Sequence, residues 1–185
     1  MNNIEIEIKV KVDKVDRLVQ FLKENGQYQK SSVQVDEYYS PAHRSFVEVE
    51  PIKEWLRLRS DNGVYSLNYK NWQYGSDGKA YHCDEYEIAI DNQEKAAHIL
   101  KSLDFKHLVT VHKERDIYTY QDYEVAFDLV KDLGSFVEVE FKGTATAEPK
   151  LIVEEMRKFI ESTGAVILSQ DFAGYPIALI RQKFN

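Results

Sequence analysis

Several short runs place ionisable residues at every second position, and their types suit the handling of phosphate and of hard metal ions. Glu5, Glu7 and Lys9 alternate with isoleucines in IEIEIKV, Arg57 and Arg59 with leucines in WLRLR, and Glu138 and Glu140 with valines in FVEVEF. Lys70, Glu85, Glu87, Lys113, Arg115 and Asp128 extend the set. Guanidinium groups make paired hydrogen bonds to phosphate oxygens, and lysines add compact charge. Carboxylates are hard oxygen donors that suit Mg2+ or Mn2+, with substrate phosphates completing the shell. The same carboxylates serve equally well as ion-pair partners of the arginines, and the charge pattern alone leaves both uses open.

A spacing of two belongs to strands. Ile4, Ile6, Ile8 and Val10 share one face of the first run, and Glu5, Glu7, Lys9 and Lys11 the other. Leu56 and Leu58 oppose Arg57 and Arg59; Tyr65, Leu67 and Tyr69 oppose Ser66, Asn68 and Lys70. Tyr86, Ile88 and Ile90 oppose Glu85 and Glu87. Val125, Phe127 and Leu129 oppose Glu124 and Asp128, and Val137, Val139 and Phe141 oppose Glu138 and Glu140. Residues 112–120 depart from the rule, with both faces polar near Lys113 and Arg115. One such strand is an ordinary half-exposed strand; the repetition is what carries information.

The elements that position these faces follow from the remaining pattern. Strands are expected near 4–12, 33–39, 54–60, 64–71, 80–90, 112–120, 123–130 and 135–142. Asn62-Gly63 marks a hairpin turn. Helical spacing covers 13–25, with Asp13 as its cap and Gly26 as its end, then 92–103, 148–162 and a short stretch after Asp171. Strand, helix and three strands over 4–71 recur over 80–142, and some eight strands are about the number that closes a small barrel. The expected fold is α+β: one domain over 1–185, a closed eight-stranded antiparallel barrel with helices packed outside, and C-terminal helices over 148–185. The apolar stripes of the helices need the outer strand faces, so the charged faces line the lumen. Each desolvated ion costs several kcal/mol, so that lumen is hydrated and its charges largely paired.

Bulk composition excludes several classes. The chain of 185 residues has a formal net charge of -7, which argues against duplex nucleic acid as a partner. Cys83 is the single cysteine, so an internal disulfide cannot form. MNNIEIEIKV shows no basic segment followed by an apolar one, and no apolar run approaches the ~20 residues of a membrane span. A cytoplasmic protein without a membrane partner is expected. His82-Cys83 lacks the spaced second pair that a zinc site needs.

The combination of Glu5-Ile6-Glu7-Ile8-Lys9, Arg57-Leu58-Arg59, Lys70, Glu85-Tyr86-Glu87, Lys113-Glu114-Arg115, Asp128 and Glu138-Val139-Glu140 resembles the CYTH proteins, or triphosphate tunnel metalloenzymes. That family includes class IV adenylyl cyclases, thiamine triphosphatases and inorganic tripolyphosphatases. The resemblance implies a tunnel of eight antiparallel strands. It implies phosphate binding by Lys9, Arg57, Arg59, Lys70 and Arg115, with Lys113 as a further candidate. Glu5, Glu7, Asp128, Glu138 and Glu140 would hold Mg2+ or Mn2+, and Glu85 and Glu87 would order the basic residues or a second metal. Lys9, Lys70 and Glu138 are assigned the catalytic part. Family members often close the tunnel with a basic C-terminal helix, for which Arg181 and Lys183 are candidates.

The implied partner is a triphosphate: tripolyphosphate, ATP or thiamine triphosphate. Hydrolysis is the favoured reaction. A class IV-like cyclase forming cyclic AMP and pyrophosphate is the alternative, and a silent polyphosphate- or nucleotide-binding module is the third reading. Ser40-Pro41-Ala42-His43-Arg44-Ser45-Phe46 partly resembles a loop of the cyclases, but its residue order differs and a surface loop is the plainer reading. Trp72 and Tyr74 could stack on a base or simply cover a rim. Many barrels of this kind pair as homodimers, although nothing in the sequence fixes an interface.

Overall fold

The computed structural model describes residues 4–76, 78, 80–144, 148–170 and 174–182, without the side chains of Ile4, Glu5 and Tyr81. The strands are β1 (Ile4–Glu5), β2 (Glu7–Asp13), β3 (Gln27–Pro41), β4 (Glu54–Asp61), β5 (Val64–Tyr74), β6 (Ala80–Ile90), β7 (Phe105–Tyr120), β8 (Tyr123–Val130), β9 (Gly134–Phe141) and β10 (Val166–Gln170). The helices are α1 (Val15–Asn25), α2 (Gln93–Ser102), α3 (Pro149–Ser162) and α4 (Gly174–Gln182).

Local chemistry accounts for most boundaries. Asn62 and Gly63 both take positive φ, 50° and 84°, as the tight turn between β4 and β5 requires. Asn92 caps α2 by accepting from the Lys95 N–H at 2.8 Å, and Pro149 opens α3, where a missing N–H costs nothing. Gly26 ends α1 as expected, but Asp13 is not its cap. Asp13 closes β2, and Lys14 occupies the cap position with no side-chain hydrogen bond to the helix.

The sheet order is β1-β6-β5-β4-β3-β7-β8-β9-β2-β10, antiparallel throughout. Two meanders, β3-β4-β5 and β7-β8-β9, flank the long central β3–β7 pair. The expectation of a closed eight-stranded barrel is corrected here: the ladder has ten strands and, among the described residues, hydrogen bonds do not close it. The reason lies in the first run. It breaks at Ile6, so that β1 pairs with β6 and β2 with β9. The Phe141 N–H donates to the Ile6 carbonyl at 2.9 Å at that break. The two sides of the ladder are thus linked through one residue of the chain. β10, which the sequence pattern did not announce, adds along β2.

The outward strand faces are apolar and carry three of the helices. Ile6, Ile8, Val10, Val125, Val137 and Val139 pack with Leu18 and Leu22 of α1 and with Ile152, Val153, Met156 and Ile160 of α3. Leu56, Leu58, Tyr39 and Phe46 pack with Leu100 of α2. Burying a side chain of this size contributes about 1.5–3 kcal/mol, which fixes strand facing and leaves the charged faces inside.

α4 behaves differently. Its Tyr175 and Ile177 pack with Tyr38, Trp55, Val109, Val111 and Val130, which share the inner strand faces with the charged residues. One end of the interior is therefore apolar and capped by α4, so the expectation that helices lie only outside fails for this one.

Leu18 is fully buried between α1 and the sheet. Leu18→Ala is expected to cost roughly 3 kcal/mol in urea unfolding; a loss under about 1 kcal/mol would contradict this packing.

Candidate functional site: a charged cavity inside the sheet

The inward faces enclose a cavity of about 840 Å³. β2 contributes Glu7 and Lys9, β4 Arg57 and Arg59, β5 Asn68 and Lys70, and β6 Glu85 and Glu87. β7 adds Lys113 and Arg115, β8 Glu124, β9 Glu138 and Glu140, and α4 Gly174, Tyr175 and Pro176. Strand alternation alone brings together all six predicted basic residues and five of the predicted carboxylates, from six strands remote in sequence.

Two aspartates hold the arginines in place. Asp36 of β3 accepts from Arg59 Nε at 2.7 Å and Nη2 at 2.8 Å, and Arg57 Nη1 lies 3.5 Å away. Asp128 of β8 accepts from Arg115 Nε and Nη2, both at 2.6 Å, from the Tyr175 hydroxyl at 2.8 Å and from Lys113 Nζ at 3.4 Å. Glu138 bridges Lys9 at 2.9 Å and Arg115 Nη1 at 3.0 Å. Lys70 lies between Glu7 at 3.3 Å and Glu85 at 3.7 Å. Glu87 accepts from the Ser66 hydroxyl at 2.7 Å.

Burial and charge set the protonation states. Burial alone would raise the Asp36 carboxyl, but the charges of Arg59 and Arg57 and the Arg59 hydrogen bonds hold it far below the ordinary carboxylate range. Glu138 is likewise held well down, burial being outweighed by Arg115 and the lysines around it. Burial, with the neighbouring charge of Arg115, pushes the Lys113 ammonium down to about 7, against the opposing pull of Asp128. The Nε of Arg57 is buried without a hydrogen-bond partner among the described residues. An anion entering the cavity could satisfy such a donor.

The predicted metal set is placed unevenly. Glu7 and Glu140 are directly opposed on β2 and β9, and Glu140 is opposed to Glu124 on β8, so three cavity-lining carboxylates form one cross-strand row. Like charges so placed repel, and Lys142 relieves part of this by pairing with Glu140 at 2.6 Å. Hard oxygen donors in such a row fit Mg2+ or Mn2+. Among the described residues, however, no three Asp, Glu, His or Cys side chains already converge as a metal shell. Asp128 is on the inner face opposite Arg115 but is not among the cavity-lining residues, its oxygens taken by Arg115, Lys113 and Tyr175. The Glu5 side chain lies outside the described residues, as does Lys183.

Comparison with known proteins places this geometry. The CYTH domain family matches residues 3–170. A candidate adenylate cyclase of Methanocaldococcus jannaschii is 34% identical over 160 residues, covering 86% of this chain and 89% of that protein. The chain belongs to the CYTH domain family. The solved structure of the PH1819 protein from Pyrococcus horikoshii superposes with a TM-score of 0.81 at 25% identity, over 96% of this chain and 99% of that one. A Hippeastrum protein, described as a candidate adenylyl cyclase with a dominant triphosphatase activity, shares the fold with a TM-score of 0.65 at 18% identity, over 97% and 95% of the two chains.

Within this CYTH chain, sequence reasoning missed Asp36 and Tyr175. Asp36 could have been found, because QVDEYY puts it on the same face as Gln34 and Tyr38, opposite Arg57 and Arg59 once β3 and β4 pair. Tyr175 gave no such signal. Residues 40–46 are not among the cavity lining: Phe46 is buried and its N–H donates to the Ser40 hydroxyl at 2.9 Å. Trp72 lines the cavity, whereas the Tyr74 hydroxyl donates to the Ile52 carbonyl at 2.7 Å. Arg181 is exposed in the last turn of α4.

Because the Asp36 pKa is depressed on folding, its ionisation stabilises the protein above the unfolded value near 3.8 and this contribution is lost as pH falls. Asp36→Asn is expected to cost roughly 3–5 kcal/mol at pH 7 by leaving two arginines without their anchor. The gap to wild type, measured by chemical denaturation, should narrow below pH 4; a gap constant with pH would contradict the assigned ion pairs.

Proposed function

We propose that this protein is a divalent-metal-dependent enzyme that binds a triphosphate in the charged cavity and hydrolyses it. The observation that carries the reading is the convergence of Lys9, Arg57, Arg59, Lys70, Lys113 and Arg115 on one cavity. Charge balance adds support. The lining's basic residues, including Lys30 and Lys142, are matched almost one for one by its carboxylates together with Asp36 and Asp128. A bare polyphosphate would unbalance such a site, whereas a polyphosphate carrying divalent cations would not. Glu7, Glu138 and Glu140, with Glu5, would hold Mg2+ or Mn2+, which when bound supplies neutralisation of phosphate charge and polarisation of the reacting oxygens.

The chain's own residues then position the substrate. Arg57, Arg59 and Arg115, held by ion pairs to Asp36, Asp128 and Glu138, present planar donors to phosphate oxygens. Lys9 and Lys70 exchange contacts with Glu138 and Glu7 for contacts with phosphate. Water attacking the terminal phosphorus releases orthophosphate, and the shortened phosphate chain leaves with the bridging oxygen. Positioning and charge neutralisation carry most of such a reaction, without a covalent enzyme intermediate. The naming of the Methanocaldococcus relative favours a second reading, in which the ribose 3′-hydroxyl attacks the α-phosphorus of ATP to give cyclic AMP and pyrophosphate.

Purified protein should release orthophosphate from tripolyphosphate, ATP or thiamine triphosphate with Mg2+ or Mn2+, and stop when EDTA is added. Cyclic AMP appearing in step with pyrophosphate would replace hydrolysis with cyclisation. Arg57→Ala should raise KM roughly ten- to hundredfold, and Glu138→Gln should lower kcat roughly a hundredfold or more. Unchanged kinetics in both folded variants would remove the cavity as the site. As pH falls through about 7 Lys113 takes up its proton, so tripolyphosphate affinity measured by calorimetry should rise more between pH 8.5 and pH 6 in wild type than in Lys113→Met. Equal pH responses would show that Lys113 does not titrate in this range.

A further inference from the structure

Tyr175 stands where the apolar and charged parts of the interior meet. It is 3% exposed and packs edge-on against Phe136 with ring centroids 4.9 Å apart. Its ring lies 4.5 Å from Lys9 Nζ and 5.6 Å from Lys113 Nζ. Lys9 is on β2 and Lys113 on β7, with β8 and β9 between them in the sheet. One ring therefore contacts cations that the backbone ladder keeps three strand spacings apart. The hydroxyl of the same residue donates to Asp128, which in turn fixes Arg115. Burial and the charges of Asp128 and Glu138 push the phenol well above its usual pKa, so it stays a donor and is unsuited to proton transfer.

We propose that Tyr175 is a positioning residue: its ring sets the places of Lys9 and Lys113, tying the phosphate-binding cations to the docking of α4. The proposal rests on the triphosphate reading and adds to it a residue outside the alternating charged strands. Ring–ammonium attraction in a desolvated setting is strong enough to restrict a lysine that would otherwise sample several rotamers. Ile177 supplies the control. It sits two residues further along α4 in the same apolar cluster as Tyr175, and its side chain has neither an aromatic ring nor a hydroxyl to offer a cation or Asp128.

The test is calorimetric binding of inorganic tripolyphosphate with Mg2+ to wild type, Tyr175→Phe, Tyr175→Leu, Ile177→Ala and Arg57→Ala, each checked for folding by circular dichroism. Tyr175→Phe, which keeps the ring, should bind within about threefold of wild type, and Tyr175→Leu about tenfold more weakly. Ile177→Ala should lower the melting temperature yet bind as wild type does. Tyr175→Leu binding like wild type, or Ile177→Ala weakening it equally, would overturn the positioning role. Wild-type NMR spectra give a reading that needs no variant: the ring should move the Lys9 ε-methylene protons upfield, and unshifted protons would also overturn it. Failure of wild type to bind tripolyphosphate would instead remove the triphosphate reading, and this role with it. Retained wild-type binding, weakened in Arg57→Ala, would leave the Tyr175 result to decide the positioning role alone.

Discussion

Arginine can be kept inside a sheet only where carboxylates hold it, and the pairing of Asp36 with Arg57 and Arg59 and of Asp128 with Arg115 is the constraint on which the interior depends. Each aspartate accepts both a side-on Nε–H and an Nη–H from its arginine. This geometry fixes the guanidinium plane, which a point contact would not do. Desolvating such charges is expensive, and ion pairing in a wholly dry interior would at best offset that cost. A water-accessible cavity of about 840 Å³ is what makes the arrangement tolerable. The fold serves this by turning its apolar faces outward to α1, α2 and α3.

The same constraint explains why neither end of the interior resembles the other. Where the inner faces carry Val109, Val111, Val130, Tyr38 and Trp55, no charge needs water, and α4 can seal the space with apolar contacts. Beyond Tyr175 the lining turns ionic. The boundary between the two regimes falls on a residue with an apolar ring and a polar tip, the side-chain type suited to such a position.

Much of the architecture was legible because parity is an unforgiving code. A residue at Lys9 or Arg57 cannot leave the inner face without moving Ile8 or Leu58 out of the apolar layer, each nearly or wholly excluded from solvent. The inner placement of six basic residues and five carboxylates follows from that rule and from the need of the helices for apolar partners. The seam was not legible, because the break at Ile6 depends on how β6 and β9 approach the first run, and a continuous alternating sequence hides it. β10 lacks regular alternation, and its pairing with β2 comes from the position in which α3 leaves the chain. Asp36 was passed over since a lone aspartate beside Glu37, Tyr38 and Tyr39 looks ordinary until β3 is set beside β4. Tyr175 belongs to a helix whose approach to the interior no strand periodicity encodes.

The central claim is that the ion-paired cavity accepts a triphosphate together with divalent metal. A crystal structure of the protein soaked with tripolyphosphate and Mn2+, with anomalous scattering to locate the metal, tests it most directly. Phosphate oxygens should lie at roughly 2.7–3.2 Å from donors of Arg57, Arg59 and Arg115, with manganese against Glu7, Glu138 or Glu140. Polyphosphate bound outside the cavity, manganese away from these carboxylates, or a cavity holding only water at saturating ligand would contradict it.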